Sequence, residues 1–199
     1  MKEQRFRRVP IFGACLLAMS AASSVGYAET ASNAAALTYC ESAGGGKYEH
    51  IANIAIGDFS HASNNLARYS NFTANTIGLT NDTYSLVLTP GFIGSRYSEF
   101  WSVFLDLNAD GDFDDDGERL FDGSSQSEIE TELTLSGASL GKTRMRVIMK
   151  YNSAVASACE SFPNGEVEDY SVFISDGAGN ITPTAHANGP YRAEIDQAI

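Results

Sequence analysis

From Tyr39 onward, apolar residues recur with a period of two and are interrupted by clusters of Gly, Asn and Asp. That period predicts strands, because successive side chains of an extended chain point to opposite faces. The clearest run is Thr143–Tyr151. Met145, Val147, Met149 and Tyr151 fall on one side, and Arg144, Arg146 and Lys150 on the other. This is the pattern of a sheet with one buried and one wet face. Tyr84, Leu86 and Leu88 alternate in the same way before an expected turn at Thr89-Pro90-Gly91. A third strand carries Trp101, Val103 and Leu105 on one face and Phe100 and Phe104 on the other. Further strands are predicted at His50–Ile56, Glu118–Phe121, Glu128–Leu135 and Glu168–Ile174. No i, i+3, i+4 stripe of useful length competes. The pattern predicts an all-β fold, an antiparallel β-sandwich of jelly-roll or immunoglobulin-like type.

The two ends of the chain break this pattern. Lys2, Arg5, Arg7 and Arg8 precede an apolar run from Ile11 to Val25, and small residues Gly26 and Ala28 follow. Residues 1–28 therefore read as a secretory signal peptide, since the run falls short of the ~20 residues that span a bilayer. A lipoprotein reading centred on Cys15 fails because Phe12-Gly13-Ala14 is a poor match to the processing site. Residues 29–38 are Ala/Ser/Asn-rich and read as a flexible leader, and the sandwich is expected over 39–175. Residues 176–182 read as a linker. The segment Pro183-Thr184-Ala185-His186-Ala187-Asn188-Gly189-Pro190-Tyr191 resembles the first strand of a PKD domain, so 183–199 is expected to be the truncated start of one within a larger multidomain protein.

Composition narrows the function. Of 199 residues, 43% are hydrophobic and 19% charged, which is a globular balance. The formal net charge is −12, and removal of a basic leader makes the remainder more acidic still. Such a chain repels phosphate backbones, so no nucleic-acid partner is expected. Nor is membrane insertion. Loss of Cys15 leaves Cys40 and Cys159 in an oxidising compartment, where a disulfide is the default and two buried thiols the alternative.

The acids concentrate in Asp106-Leu107-Asn108-Ala109-Asp110-Gly111-Asp112-Phe113-Asp114-Asp115-Asp116-Gly117-Glu118. Oxygen side chains at alternate positions, followed by a Gly that permits a sharp turn, suit a hard cation, and Ca²⁺ takes six to eight oxygens. Glu118 is one place late for an EF-hand and the flanks read as strands, so a strand-borne Ca²⁺ loop is expected. Its candidate ligands are Asp106, Asn108, Asp110, Asp112, Asp115 and Glu118. The competing reading is a solvated acidic turn. A second acidic string, Glu166-Val167-Glu168-Asp169, either completes that shell or forms cross-strand ion pairs with Arg144 and Arg146. Pairing is the simpler expectation.

Together these residues resemble the GEVED domain, from Tyr39-Cys40 and Tyr48-Glu49-His50-Ile51 through Leu88-Thr89-Pro90-Gly91-Phe92 to the Asp106–Glu118 loop, Ala158-Cys159-Glu160 and Gly165-Glu166-Val167-Glu168-Asp169. The resemblance implies a non-catalytic β-sandwich module attached to secreted bacterial hydrolases or surface proteins. It supports the Cys40–Cys159 pair and the acidic loop as shared features. It brings no catalytic residue. His50, His61 and His186 show no metal-ligand spacing, and no serine sits in a nucleophile elbow. The expectation is an extracellular or cell-surface accessory module, monomeric and calcium-stabilised, that binds or spaces against a protein or polysaccharide. The alternative is a piece of a secreted peptidase or glycosidase whose catalytic domain is not in this sequence.

Overall fold

The computed structural model describes residues 37–63 and 66–177. The expected signal peptide, residues 29–36 of the leader, residues 178–182 of the linker and the PKD-like segment lie outside the described residues. The described chain contains nine strands. They are β1 Glu49–Ile56, β2 Phe59–His61, β3 Tyr69–Leu79, β4 Thr83–Phe92, β5 Glu99–Leu105, β6 Arg119–Ser125, β7 Ile129–Thr134, β8 Gly141–Tyr151 and β9 Gly165–Ile174. One sheet has the order β2-β1-β4-β7 and the other β3-β9-β8-β5-β6. The expected sandwich is what the chain forms. Its interior is built from the alternating positions of both sheets, including Ile51, Ile54, Leu86, Leu88, Trp101, Val103, Met145, Val147, Tyr170 and Val172.

Four features depart from the expectation. First, the pairing is not wholly antiparallel, because β3 runs parallel to β9. The chain reaches β3 by leaving the β2 sheet for the edge of the other, so no hairpin dictates its direction. Second, β3 itself was not predicted. Its pairing with β9 slips between Phe72 and Thr76, so Phe72 and Ile77, at positions of opposite parity, both pack on the same core. A period-two reading fails across such an irregularity. The three-residue β2 also escapes it.

Third, Thr89-Pro90-Gly91 is strand and not turn. β4 pairs with β7 only as far as Leu88, while its pairing with β1 continues through Gly91 to Phe92. Beyond Leu88 the β7 side of β4 is open, where a proline without an N–H is tolerated. At Gly91 a Cβ would lie 2.3 Å from the His50 ring, so glycine is what lets that ring rest on the backbone.

Fourth, the outer face of the β8 sheet is not wet. Phe104, Ile148 and Val167 on that face pack with Phe113, Val155, Ala158, Phe162 and Tyr39, forming a second core under the loops. Arg146 is only 2% exposed. Its Nε and Nη2 donate to the two carboxylate oxygens of Asp169 at 2.7 and 2.8 Å. Its Nη1 donates to the carbonyls of Cys40 and Ala158 at 2.9 and 2.8 Å. Cys40 and Cys159 are joined in a disulfide, as expected. One guanidinium thus ties β8 to β9 and both to the bridged segments.

Candidate metal centre

The acidic loop leaves β5 after Leu105 and returns as β6. Two of its acids fold the loop. Asp106 is fully buried and accepts from the Tyr39 hydroxyl at 2.7 Å and from the amides of Asp110 and Gly111 at 3.2 and 3.1 Å. Glu118, equally buried, accepts from the amides of Leu107 and Asp115 at 2.8 and 3.3 Å. Burial is the largest influence on Glu118 and raises its pKa, against those two amide hydrogen bonds. Burial and the Asp106 carboxylate together push the Tyr39 phenol upward. Phe113 turns inward to meet the Tyr39 ring at 5.1 Å and the Phe104 ring at 6.1 Å, anchoring the middle of the loop.

Between these anchors the alternate spacing has a local cause. Asn108 Oδ1 accepts from the Asp110 amide at 3.0 Å, Asp110 Oδ1 from Asp112 at 3.2 Å, and Asp112 Oδ1 from Asp114 at 2.9 Å. Each short side chain holds the backbone two residues ahead, a run of Asx turns. Gly111 takes φ +103°, which L side chains rarely adopt. The turns use one oxygen of each side chain. The result is that Asp110, Asp112 and Asp115 each present a carboxylate oxygen with all three within 4.8 Å of one another, at exposed positions. Asn108 Nδ2 donates to both Asp110 and Asp115, at 2.9 and 2.6 Å.

Of the six ligands expected from sequence, then, three converge, Asn108 bridges two of them, and Asp106 and Glu118 lie beneath, directed at loop amides. A carboxylate offers about four lone-pair sites, so the two buried acids retain acceptor capacity in addition to their structural bonds.

The Glu166–Asp169 string sits elsewhere. Strand alternation turns Asp169 to the outer face, where it meets Arg146 and, at 3.6 Å, Arg144. This is the cross-strand pairing that was expected. Glu166 and Glu168 turn inward, between the sheets, where their bonds go to β1, β3 and β9 and not to the acidic loop. Glu166 accepts from the Ile51 amide at 2.9 Å and the Ser70 hydroxyl at 2.8 Å. Glu168 accepts from the Tyr170 hydroxyl at 2.8 Å. Burial raises them to about 7 and about 8 respectively. Gly165 opens the string at φ +117°, and a Cβ there would lie 2.0 Å from the Met149 carbonyl oxygen.

Residues 100–173 match the family model of the GEVED domain. That stretch runs from β5 to the end of β9 and contains the acidic loop, Arg146, Cys159 and the Gly165–Asp169 string. Tyr39–Glu99 lie outside the matched GEVED stretch. Searched as a sequence, the chain matches no curated protein. Among solved structures it is similar to the CARDB domain of a Pyrococcus furiosus protein in complex with di-metal ions, at 11% identity and a TM-score of 0.34, covering 64% of this chain and 86% of that one. It is also similar to an apo-form Calx CBD1 domain, at 4% identity and a TM-score of 0.30, covering 65% and 100%. Likenesses this distant carry no argument about function.

Proposed function

We propose that this chain is an extracellular, non-catalytic accessory module whose acidic loop is held by Ca²⁺ and which binds or spaces within a secreted multidomain protein. The observation that carries the reading is the convergence of Asp110, Asp112 and Asp115 within 4.8 Å on a loop fixed from below by Asp106 and Glu118. Three carboxylates that close repel one another, and a hard divalent cation with flexible coordination relieves that repulsion. The disulfide fits an oxidising compartment. The match to the GEVED family model agrees with an accessory role. The test is calorimetric titration of the purified protein with calcium, paired with thermal melts in calcium and in chelator. One ion per chain with a raised melting temperature is expected. Asp110→Ala should abolish that rise while melting close to wild type in chelator. Equal losses in both conditions would reduce the loop to a solvated turn.

A further inference from the structure

The opposite end of β5 carries a different anomaly. Glu99 begins that strand and is fully buried, yet neither of its carboxylate oxygens has a hydrogen-bond partner among the described residues. Glu49, at the start of β1, is 3% exposed, and its Oε1 is likewise without a partner. Buried polar atoms are normally satisfied, and two neighbouring acids are left short here. They also repel each other. Burial first, and then the charge of Glu49, hold Glu99 up to about 7. No salt bridge among the described residues reaches either one. Lys47, the cation nearest Glu49 in sequence, instead places its Nζ 4.6 Å from the centre of the Tyr48 ring.

Glu49 lines an aromatic cleft of about 310 Å³ together with Tyr48, Ile93, Tyr97 and Tyr151, and Glu99 is buried beside it. Glu99 stands directly across the ladder from Tyr151, so the two side chains share a face. The Tyr97 and Tyr151 rings meet edge to face at 5.3 Å. Tyr48, Ile93 and Tyr97 are each about half exposed, and they are three of the seven large apolar side chains left exposed among the described residues.

We propose that this cleft receives a basic side chain of a partner protein, its ammonium or guanidinium group held by Glu49, with the Glu99 carboxylate behind it, and walled by the tyrosines. A neutral donor such as a sugar hydroxyl would satisfy the oxygens but leave the paired negative charge. A cation removes both deficits. Ca²⁺ takes six to eight oxygens, a transition metal prefers His or Cys ligands, and this lining is largely aromatic. Tyrosine faces and carboxylates together suit an organic cation.

The test is an NMR titration of the full protein at pH 8 with N-acetyl-arginine methylamide and N-acetyl-lysine methylamide. N-acetyl-citrulline methylamide serves as the uncharged control, and calcium and chitopentaose are added in separate arms. Saturable shifts at Tyr97, Tyr151 and the two glutamates with the cationic probes, at least about tenfold weaker with citrulline, are the expected result. Glu49→Gln should weaken binding at least fivefold, on the order of a lost charge-assisted hydrogen bond. Tyr97→Ala, which alters no buried acid, should also weaken it, with amide spectra confirming that each variant is folded. Equal response to citrulline and arginine, no saturable shift with any probe, or shifts at these residues from calcium or chitopentaose would each overturn the proposal. Calcium shifts confined to Asp110–Asp115 bear only on the loop, so the two sites stand or fall separately.

Discussion

The inward-facing acids of the Gly165–Asp169 string make the stability of this domain depend on pH in an unusual direction, and Glu168→Gln isolates the effect. Glu168 is wholly buried between the sheets. Its Oε2 accepts from Tyr170, whose hydroxyl is also 2.9 Å from His61 Nδ1, while its Oε1 finds no partner. Burial pushes its pKa up to about 8. The Ser63 and Tyr170 hydroxyls pull against burial, and the Glu166 charge reinforces it. In the unfolded chain it titrates near ~4.3. Below that pH both states are protonated and the group contributes nothing. Between the two values the folded state holds a proton that the unfolded state has released, so stability falls as pH rises. Above about 8 the loss is complete, with a ceiling of about 5 kcal/mol for one group. Glutamine mimics the protonated carboxyl and cannot ionise. Denaturant unfolding in chelator, followed by the single Trp101, which is 1% exposed, gives the free energies directly. We expect the variant and wild type to agree within about 1 kcal/mol at pH 4.5. The variant should then gain steadily, to be more stable by at least about 2 kcal/mol at pH 9. A difference that stays flat with pH, or a glutamine variant that is the weaker at pH 9, would refute the assignment of a buried, neutral Glu168.

Two further outcomes follow from the outer layer. Arg146→Met should cost about 3–5 kcal/mol in the same unfolding assay, because it strands Asp169 without its bidentate partner. Adding Asp169→Asn should return part of that loss, since it removes the buried charge while keeping an acceptor for the Tyr69 hydroxyl, now 3.0 Å from Asp169. The paired Cys40→Ser, Cys159→Ser variant opens a loop of sequence separation 119. It should lose about 2–5 kcal/mol, and in the native protein neither cysteine should react with thiol reagents without reductant.

Most of the sandwich was legible because its strands alternate cleanly, and alternation is a property of the sequence alone. Met145, Val147 and Met149 all fall in the core they were expected to fill. The misread outer face has a plain cause. Whether the second face of a strand is wet depends on what the rest of the chain lays over it, and periodicity says nothing of that. Arg144 and Arg146 look like solvent-facing positions until Tyr39, Phe113 and the segment around Cys159 are seen to cover them. Separately, β3 conceals its phase by slipping register partway along.

The acids teach the same lesson more sharply. Read as composition, the loop and the Glu166–Asp169 string were both dense negative charge, and either could have fed one metal shell. The period of two already divides the string, sending Glu166 and Glu168 to one face and Asp169 to the other, so it could never have presented all three to one ion. In the loop, the alternate oxygens that suggested a cation also serve the backbone. Asn108, Asp110 and Asp112 each fold the two residues ahead, and that run of turns brings the Asp110, Asp112 and Asp115 oxygens together. Spacing alone could not separate the turn-forming oxygen from the one left over. Glu49 and Glu99 had no signal at all, because an acid at the first position of a strand reads as a solvated end. Both are nonetheless buried in the folded chain, and it is two such acids against each other beside an open aromatic cleft, not the count of acids, that points to a positive group there.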